Sequence, residues 1–266
     1  MRLLLTLVAT LAVVLVACGG GGDDNESSPT ATTSAAGEPA ATIAPGSATA
    51  TAPTSGAVED RAEVEALLKA TALRLEDLPE GFSLDEESFT TNEESAGDAG
   101  AIGEPTLEDL NRFGRILGYD ASYSQGGPSS LLDRGTLSLF ATATLYGDSD
   151  GADQAFEFVR DQASDPDFVD AFEESLTSPG VEIQDASISP MSFAELGDER
   201  QAYEVKVSAH STDLDQDFDF IAQLVGIRRD RLVGAVTVLA INSLSPEPGL
   251  EDLARTLDER MKDALE

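Results

Sequence analysis

The chain has 266 residues, 50 acidic and 16 basic, for a formal net charge of -34. A surface of that sign repels phosphate backbones and anionic headgroups, which excludes nucleic-acid binding and attachment to a membrane by charge. One cysteine and one histidine exclude disulfide frameworks, cysteine-rich zinc sites and every motif that needs two histidines.

At the N-terminus, Arg2 precedes an apolar run from Leu3 to Val16 that is interrupted only by Thr6 and Thr10. That is the length and polarity of a secretory leader. Spanning roughly 30 Å of hydrocarbon takes about 20 apolar residues, and the glycines at 19–22 prevent this run from being extended. The run ends in Leu15-Val16-Ala17-Cys18, which resembles the lipobox of bacterial lipoproteins. The resemblance implies that residues 1–17 are a signal peptide and that Cys18 becomes the acylated first residue. The mature chain is then held by its lipid on the extracytoplasmic face of the cell membrane. Acylation also removes the one thiol that an oxidising compartment would drive into intermolecular disulfides.

Residues 18–57 carry no lysine, arginine or aromatic side chain and consist mostly of Gly, Ser, Thr, Ala and Pro. Such a tract cannot bury enough apolar surface to fold, and as a flexible linker it reaches about 35 Å. Residues 58–266 then suffice for one core without disulfide or metal.

Helical periodicity over 59–75 places Val64, Leu67, Leu68 and Leu75 on one stripe. Leu78-Pro79-Glu80-Gly81-Phe82 stops that helix, and Phe82, Leu84 and Phe89 begin a strand. The small acidic stretch 92–105 reads as a loop. Thr106, with Asp109 three residues on, caps a helix over 106–117. Tyr119, Ala121 and Tyr123 alternate in a second strand, followed by a glycine-rich loop at 125–135. Leu137, Leu139, Ala141, Ala143 and Leu145 alternate with Ser138, Phe140, Thr142, Thr144 and Tyr146, the clearest strand pattern in the chain. A helix capped by Asp150 follows and ends at Asp165-Pro166, and Phe168 and Phe172 mark a further turn. Four strand-like stretches cover 181–193, 201–210, 218–228 and 232–241. Arg229-Asp230 makes a hairpin of the last two. Leu250, Leu253, Leu257, Met261 and Leu265 form a closing amphipathic helix, with Glu251/Arg255 and Asp258/Lys262 as i,i+4 pairs. The expected fold is α+β, a single domain of helices packed on an antiparallel sheet.

This element order, with the Leu78-Pro79-Glu80-Gly81-Phe82 entry, resembles the PsbP/Mog1-like domains of some actinobacterial lipoproteins. A PknH-type extracellular sensor domain has a comparable element list, but its disulfides are impossible in a chain with one cysteine. Either resemblance implies a binding, sensor or accessory role and no catalysis.

None of the three lysines follows a glycine, so there is no phosphate-binding loop, and the Gly-x-Ser-x-Gly and Ser-x-x-Lys patterns are missing. His210, beside Ser211 and Asp213, reads as a solvated strand-end residue. No cofactor is expected. Asp213, Asp215, Asp217 and Asp219 alternate with Leu214, Gln216, Phe218 and Phe220, so an extended backbone would stack four carboxylates as a divalent-cation site; the simpler reading is an exposed hairpin entry whose charge blunts an edge strand against aggregation. Tyr119 and Tyr123 lead into the 125–135 loop, and Phe140 and Tyr146 stand on the polar face of the strand that leaves it. Those four line an expected small-ligand pocket. The function expected is a lipid-anchored binding or accessory protein with a small ligand or an envelope protein as partner. The alternatives are a surface hydrolase with an unfamiliar site and a structural envelope spacer.

Overall fold

The computed structural model describes residues 60–96, 105–125, 135–165, 168, 180–213, 215–242 and 248–266. The leader, Cys18, the linker and most of the 125–135 loop lie outside them. Among the described residues no helix is long and apolar enough to cross a membrane.

Asp60 accepts a hydrogen bond from the Ala62 amide and so caps α1 (Arg61–Thr71), which buries Val64, Leu68 and Thr71. Leu75, expected on the same stripe, lies instead in a 3-10 turn (Leu75–Asp77) and is 44% exposed. After β1 (Phe82–Thr90), Thr91 and Glu94 form a capping box around the short α2 (Asn92–Ser95), where the sequence suggested only loop. Thr106 and Asp109 form the predicted box on α3 (Leu107–Arg112). That helix ends sooner than its apolar spacing suggests, because Gly114 takes a φ of 68° and β2 (Arg115–Gln125) begins at once. β3 (Gly135–Tyr146) leads into α4 (Ser149–Ala163), capped by Asp148, not Asp150, through the Gly151 amide. β4 (Val181–Pro190), β5 (Glu199–Ser211), β6 (Gln216–Arg229) and β7 (Leu232–Ile241) follow. α5 (Leu250–Leu265) closes the chain.

All seven strands form one antiparallel sheet in the order β1-β2-β3-β7-β6-β5-β4. Two meanders, β1 to β3 and β4 to β7, therefore meet at a single seam where Ala141 lies opposite Val236. The predicted hairpin joins β6 to β7 through Asp230 and Arg231, with Asp230 at a φ of 52° and Arg229 opposite Leu232.

The apolar surface of this sheet changes face along its width. On one face Leu139, Ala141, Ala143 and Leu145 of β3 continue through Val236 and Val238 of β7 to Val225 and Ile227 of β6, under α1 and α5. Gly234 permits the close approach of α5, since a Cβ there would stand 3.1 Å from Leu257 Cδ2 and from Met261 Sδ. Ion pairs tie the same helix down: Arg260 to Asp77 and Arg229 to Asp258, both at 2.7 Å. Asp258 is thus engaged by Arg229 and the Gly197 amide, and Lys262 pairs with Glu266 in place of the expected i,i+4 partner. Glu251/Arg255 forms as expected. On the opposite face, Val205, Val207, Ala209, Phe218, Phe220 and Ala222 build a second core with Leu239 and Ile241. A third, small cluster of Phe113, Tyr146, Ala152 and Ala155 holds α4 against the end of that second face.

Candidate functional site

Each half of the sheet has a polar face behind its core. Behind the second core, β5 and β6 carry Glu204, Lys206, Ser208, His210, Asp217, Asp219 and Gln223, and these side chains satisfy one another. Gln223 donates to Glu204 at 3.1 Å, Lys206 pairs with Glu204, and Ser208 donates to Asp219 at 2.7 Å. His210 Nδ1 meets Asp217 at 2.8 Å, a hydrogen bond that raises the histidine pKa.

The polar face behind the first core is built differently. Gly118 leaves room for a guanidinium, because a Cβ on it would lie 2.2 Å from Arg115 Nη2. Arg115, 4% exposed, fills that space and donates to the Thr90 carbonyl at 3.0 Å, Asn92 Oδ1 at 3.1 Å and Thr90 Oγ1 at 2.9 Å. The Thr90 hydroxyl in turn donates to Asp120 Oδ2 at 3.3 Å. Asp120 is half-buried, and its Oδ1 is shut from solvent with no hydrogen-bond partner. Desolvation raises its pKa to about 6, despite the opposing charge of Arg115 and the hydrogen bond from Thr90. Beyond Asp120 the register runs to Thr142, while the next row holds Ser122, Phe140 and Thr237. Thr237 is 2% exposed, and its hydroxyl also lacks a partner.

This arrangement corrects the expected four-aromatic pocket. Tyr119 and Tyr123 pair with Ala143 and Leu139, which puts them on the helix-covered face. Their hydroxyls are used internally: Tyr119 donates to Glu87 at 2.7 Å and Tyr123 to the Leu73 carbonyl at 2.8 Å. Burial pushes the Tyr123 phenol up to about 12 and raises Tyr119 further. Phe140 and Tyr146 stand on the other face, and Tyr146, fully buried, belongs to the cluster under α4. The sheet therefore separates the four residues, and of them only Phe140 lies half-buried amid polar neighbours. Among the described residues it joins none of the three apolar clusters.

The four carboxylates do not form a ladder. Asp213 lies in the turn against Gly180, and Asp215 takes a φ of 50°, which breaks the alternation before β6 begins. Asp217 and Asp219 are bound to His210 and Ser208 across the strand pair. No group of three or more His, Cys, Asp or Glu side chains among the described residues is placed to hold a metal ion. Cys18 lies outside those residues.

Sequence reasoning missed Asp120, Arg115, Thr90 and Gly118. A signal was present: Asp120 is an isolated carboxylate inside a strand-forming run, two residues after a glycine.

No protein-family model matches the chain, and no curated protein matches it by sequence. Among solved structures, the extracellular domain of PknH from Mycobacterium tuberculosis aligns over 76% of this chain and 96% of its own, with a TM-score of 0.42 and 9% identity. LpqN of the same organism, described as involved in cell envelope biogenesis, aligns over 70% of this chain and 75% of its own, with a TM-score of 0.24 and 12% identity. Neither likeness assigns a role or a residue to this chain, and the PsbP/Mog1-like resemblance rests on element order and the Leu78-Pro79-Glu80-Gly81-Phe82 entry.

Proposed function

We propose that this protein is a lipid-anchored, extracytoplasmic binding domain whose ligand sits on the polar face of β1, β2 and β3 around Asp120. The observation that carries this reading is the partnerless Asp120 Oδ1, closed off from solvent beside a buried arginine. An unmet buried acceptor costs on the order of 1 to 3 kcal/mol, so a fold that keeps one gains from a molecule that supplies the donor. Perturbed, partly buried titrating groups cluster at functional sites for the same reason. The anchor rests on Leu15-Val16-Ala17-Cys18, and the linker after it gives the domain reach without surface charge attraction to lipid.

Two measurements test the reading. Cys18→Ala is expected to move the protein out of the detergent phase on partitioning while the domain keeps its melting temperature; unchanged partitioning overturns the anchor. Native mass spectrometry of the full chain purified from its own host is expected to show a bound mass that Asp120→Asn loses. A bare chain mass from parent and variant alike overturns the binding role.

A further inference from the structure

We propose that the surface centred on Phe140 takes a neutral, hydroxyl-rich ligand, a saccharide by chemical class. This rests on the binding reading above and names its substrate chemistry.

The phenyl ring of Phe140 is flanked across the ladder by Ser122 on β2 and Thr237 on β7, and along its own face of β3 by Ser138 and Thr142. Asp120 stands opposite Thr142. One flat apolar plate is thus set among four hydroxyls and a carboxylate, all on one face of the sheet. A sugar ring needs that combination: its C–H face covers an aromatic plate while its hydroxyls exchange hydrogen bonds with acceptors and donors at the rim. The two partnerless atoms, Asp120 Oδ1 and Thr237 Oγ1, belong to residues of this same face and lie just beneath its solvent-facing surface. Oδ1 needs a donor, and the Thr237 hydroxyl either gives or accepts.

Charge decides against an anion, and the plate with its ring of hydroxyls favours a neutral ligand over a cation. Arg115 already stands against Asp120, which offsets that carboxylate, and Glu86, opposite Ser122 on β1, is a further carboxylate at the exposed rim. An anionic ligand meets a chain of net charge -34 and, at the patch itself, Glu86. A neutral polyhydroxyl compound avoids that penalty and uses both the plate and the hydroxyls, which a polyamine does not, and spermidine tests the cationic class. Phe140, Ser122, Ser138 and Asp120 are half-buried, so the patch is partly open to solvent.

The test uses the full chain in a detergent without sugar headgroups, titrated with maltotriose, cellotriose and spermidine and followed by saturation-transfer NMR. At least one trisaccharide is expected to bind saturably. Phe140→Leu and Ser122→Ala should each weaken it by about tenfold, the equivalent of one lost contact of about 1.4 kcal/mol. His210→Gln, on the other polar face, should leave it unchanged. Phe140→Tyr keeps the plate and is expected to bind as the parent does, which guards against loss of fold in the leucine variant. Saturable binding of spermidine alone, equal trisaccharide binding by all variants, or no trisaccharide binding by the parent overturns the saccharide assignment. Where a co-purifying mass is still lost in Asp120→Asn, only the ligand class falls; where none is seen, the binding reading falls with it.

Discussion

The two halves of the sheet are built as opposites, and the contrast separates a polar face whose groups pair with one another from one that leaves buried groups without partners. In the β4 to β6 half the core lies on one face, and the polar face behind it is closed by cross-strand pairs such as Gln223 with Glu204 and Ser208 with Asp219. In the β1 to β3 half the core lies on the other face, and the polar residues behind it include a buried arginine and a carboxylate oxygen without a partner, with the unsatisfied Thr237 across the seam on β7. The first polar face explains itself by solvation and pairing, each exposed pair contributing at most about 1 kcal/mol. The second carries an unmet demand.

Substitutions in the two cores should give the largest effects. Leu257→Ala and Phe220→Ala are each expected to cost about 3 kcal/mol or more in urea unfolding, because both side chains are buried on opposite faces of the sheet. A small effect from Phe220→Ala would mean that the second face is not a core. Next comes Gly118→Ala. Its methyl group must displace the Arg115 guanidinium from Thr90, and the expected loss is about 2 kcal/mol with unchanged secondary structure by circular dichroism. An additional Thr90→Ala in that background should cost little more, since the two act through one hydrogen-bond chain.

The pH dependence is smaller and opposite in sign to that of the ordinary carboxylates. Asp120 is raised from 3.8 to about 6, so between those values the folded state binds more protons than the unfolded one. Its contribution to stability is fully present below about pH 4 and is lost as pH rises through about 6, on the order of 3 kcal/mol. Glu87, Glu94, Asp109 and Glu204 are lowered by their hydrogen bonds and act the other way, losing stability as pH falls below the usual carboxylate range. Melting curves of the parent and Asp120→Asn across pH 4 to 7 isolate the first effect: the difference between them should change with pH only in that window. The smallest expected effect is that of His210→Gln, a shift below about 2 °C in melting temperature at pH 7.

Much of the architecture was legible because β3, α1 and α5 carry unambiguous periods of 2 and 3.6 in their apolar residues. Helix ends were less legible: Gly114 and Asp148 set boundaries through local backbone geometry that Leu117 and Asp150 do not reveal. The site was misread in its faces. Tyr119 and Tyr123 alternate with Asp120 and Ser122, so polarity alone assigns them to the same side as Leu139 and Ala141 and away from Phe140. Grouping them by nearness to a loop ignored that parity. Arg115 was not recoverable, since it depends on a register shift between Arg115 and Leu117 and on the empty space above Gly118. The Asp213 to Asp219 alternation was real in sequence and failed at one backbone angle, that of Asp215.

The seam between β3 and β7 joins residues about a hundred positions apart, such as Ala141 and Val236. Synthesis delivers β1 to β3 first, and until β7 arrives the inner edge of β3 exposes an unpaired ladder along one of the most apolar strands in the chain. Closing that seam is a long-range pairing, and sheets dominated by such pairings generally fold in milliseconds to seconds. The interval before closure is when this acidic chain most needs its charge, because mutual repulsion between nascent copies keeps open β3 edges from pairing with one another.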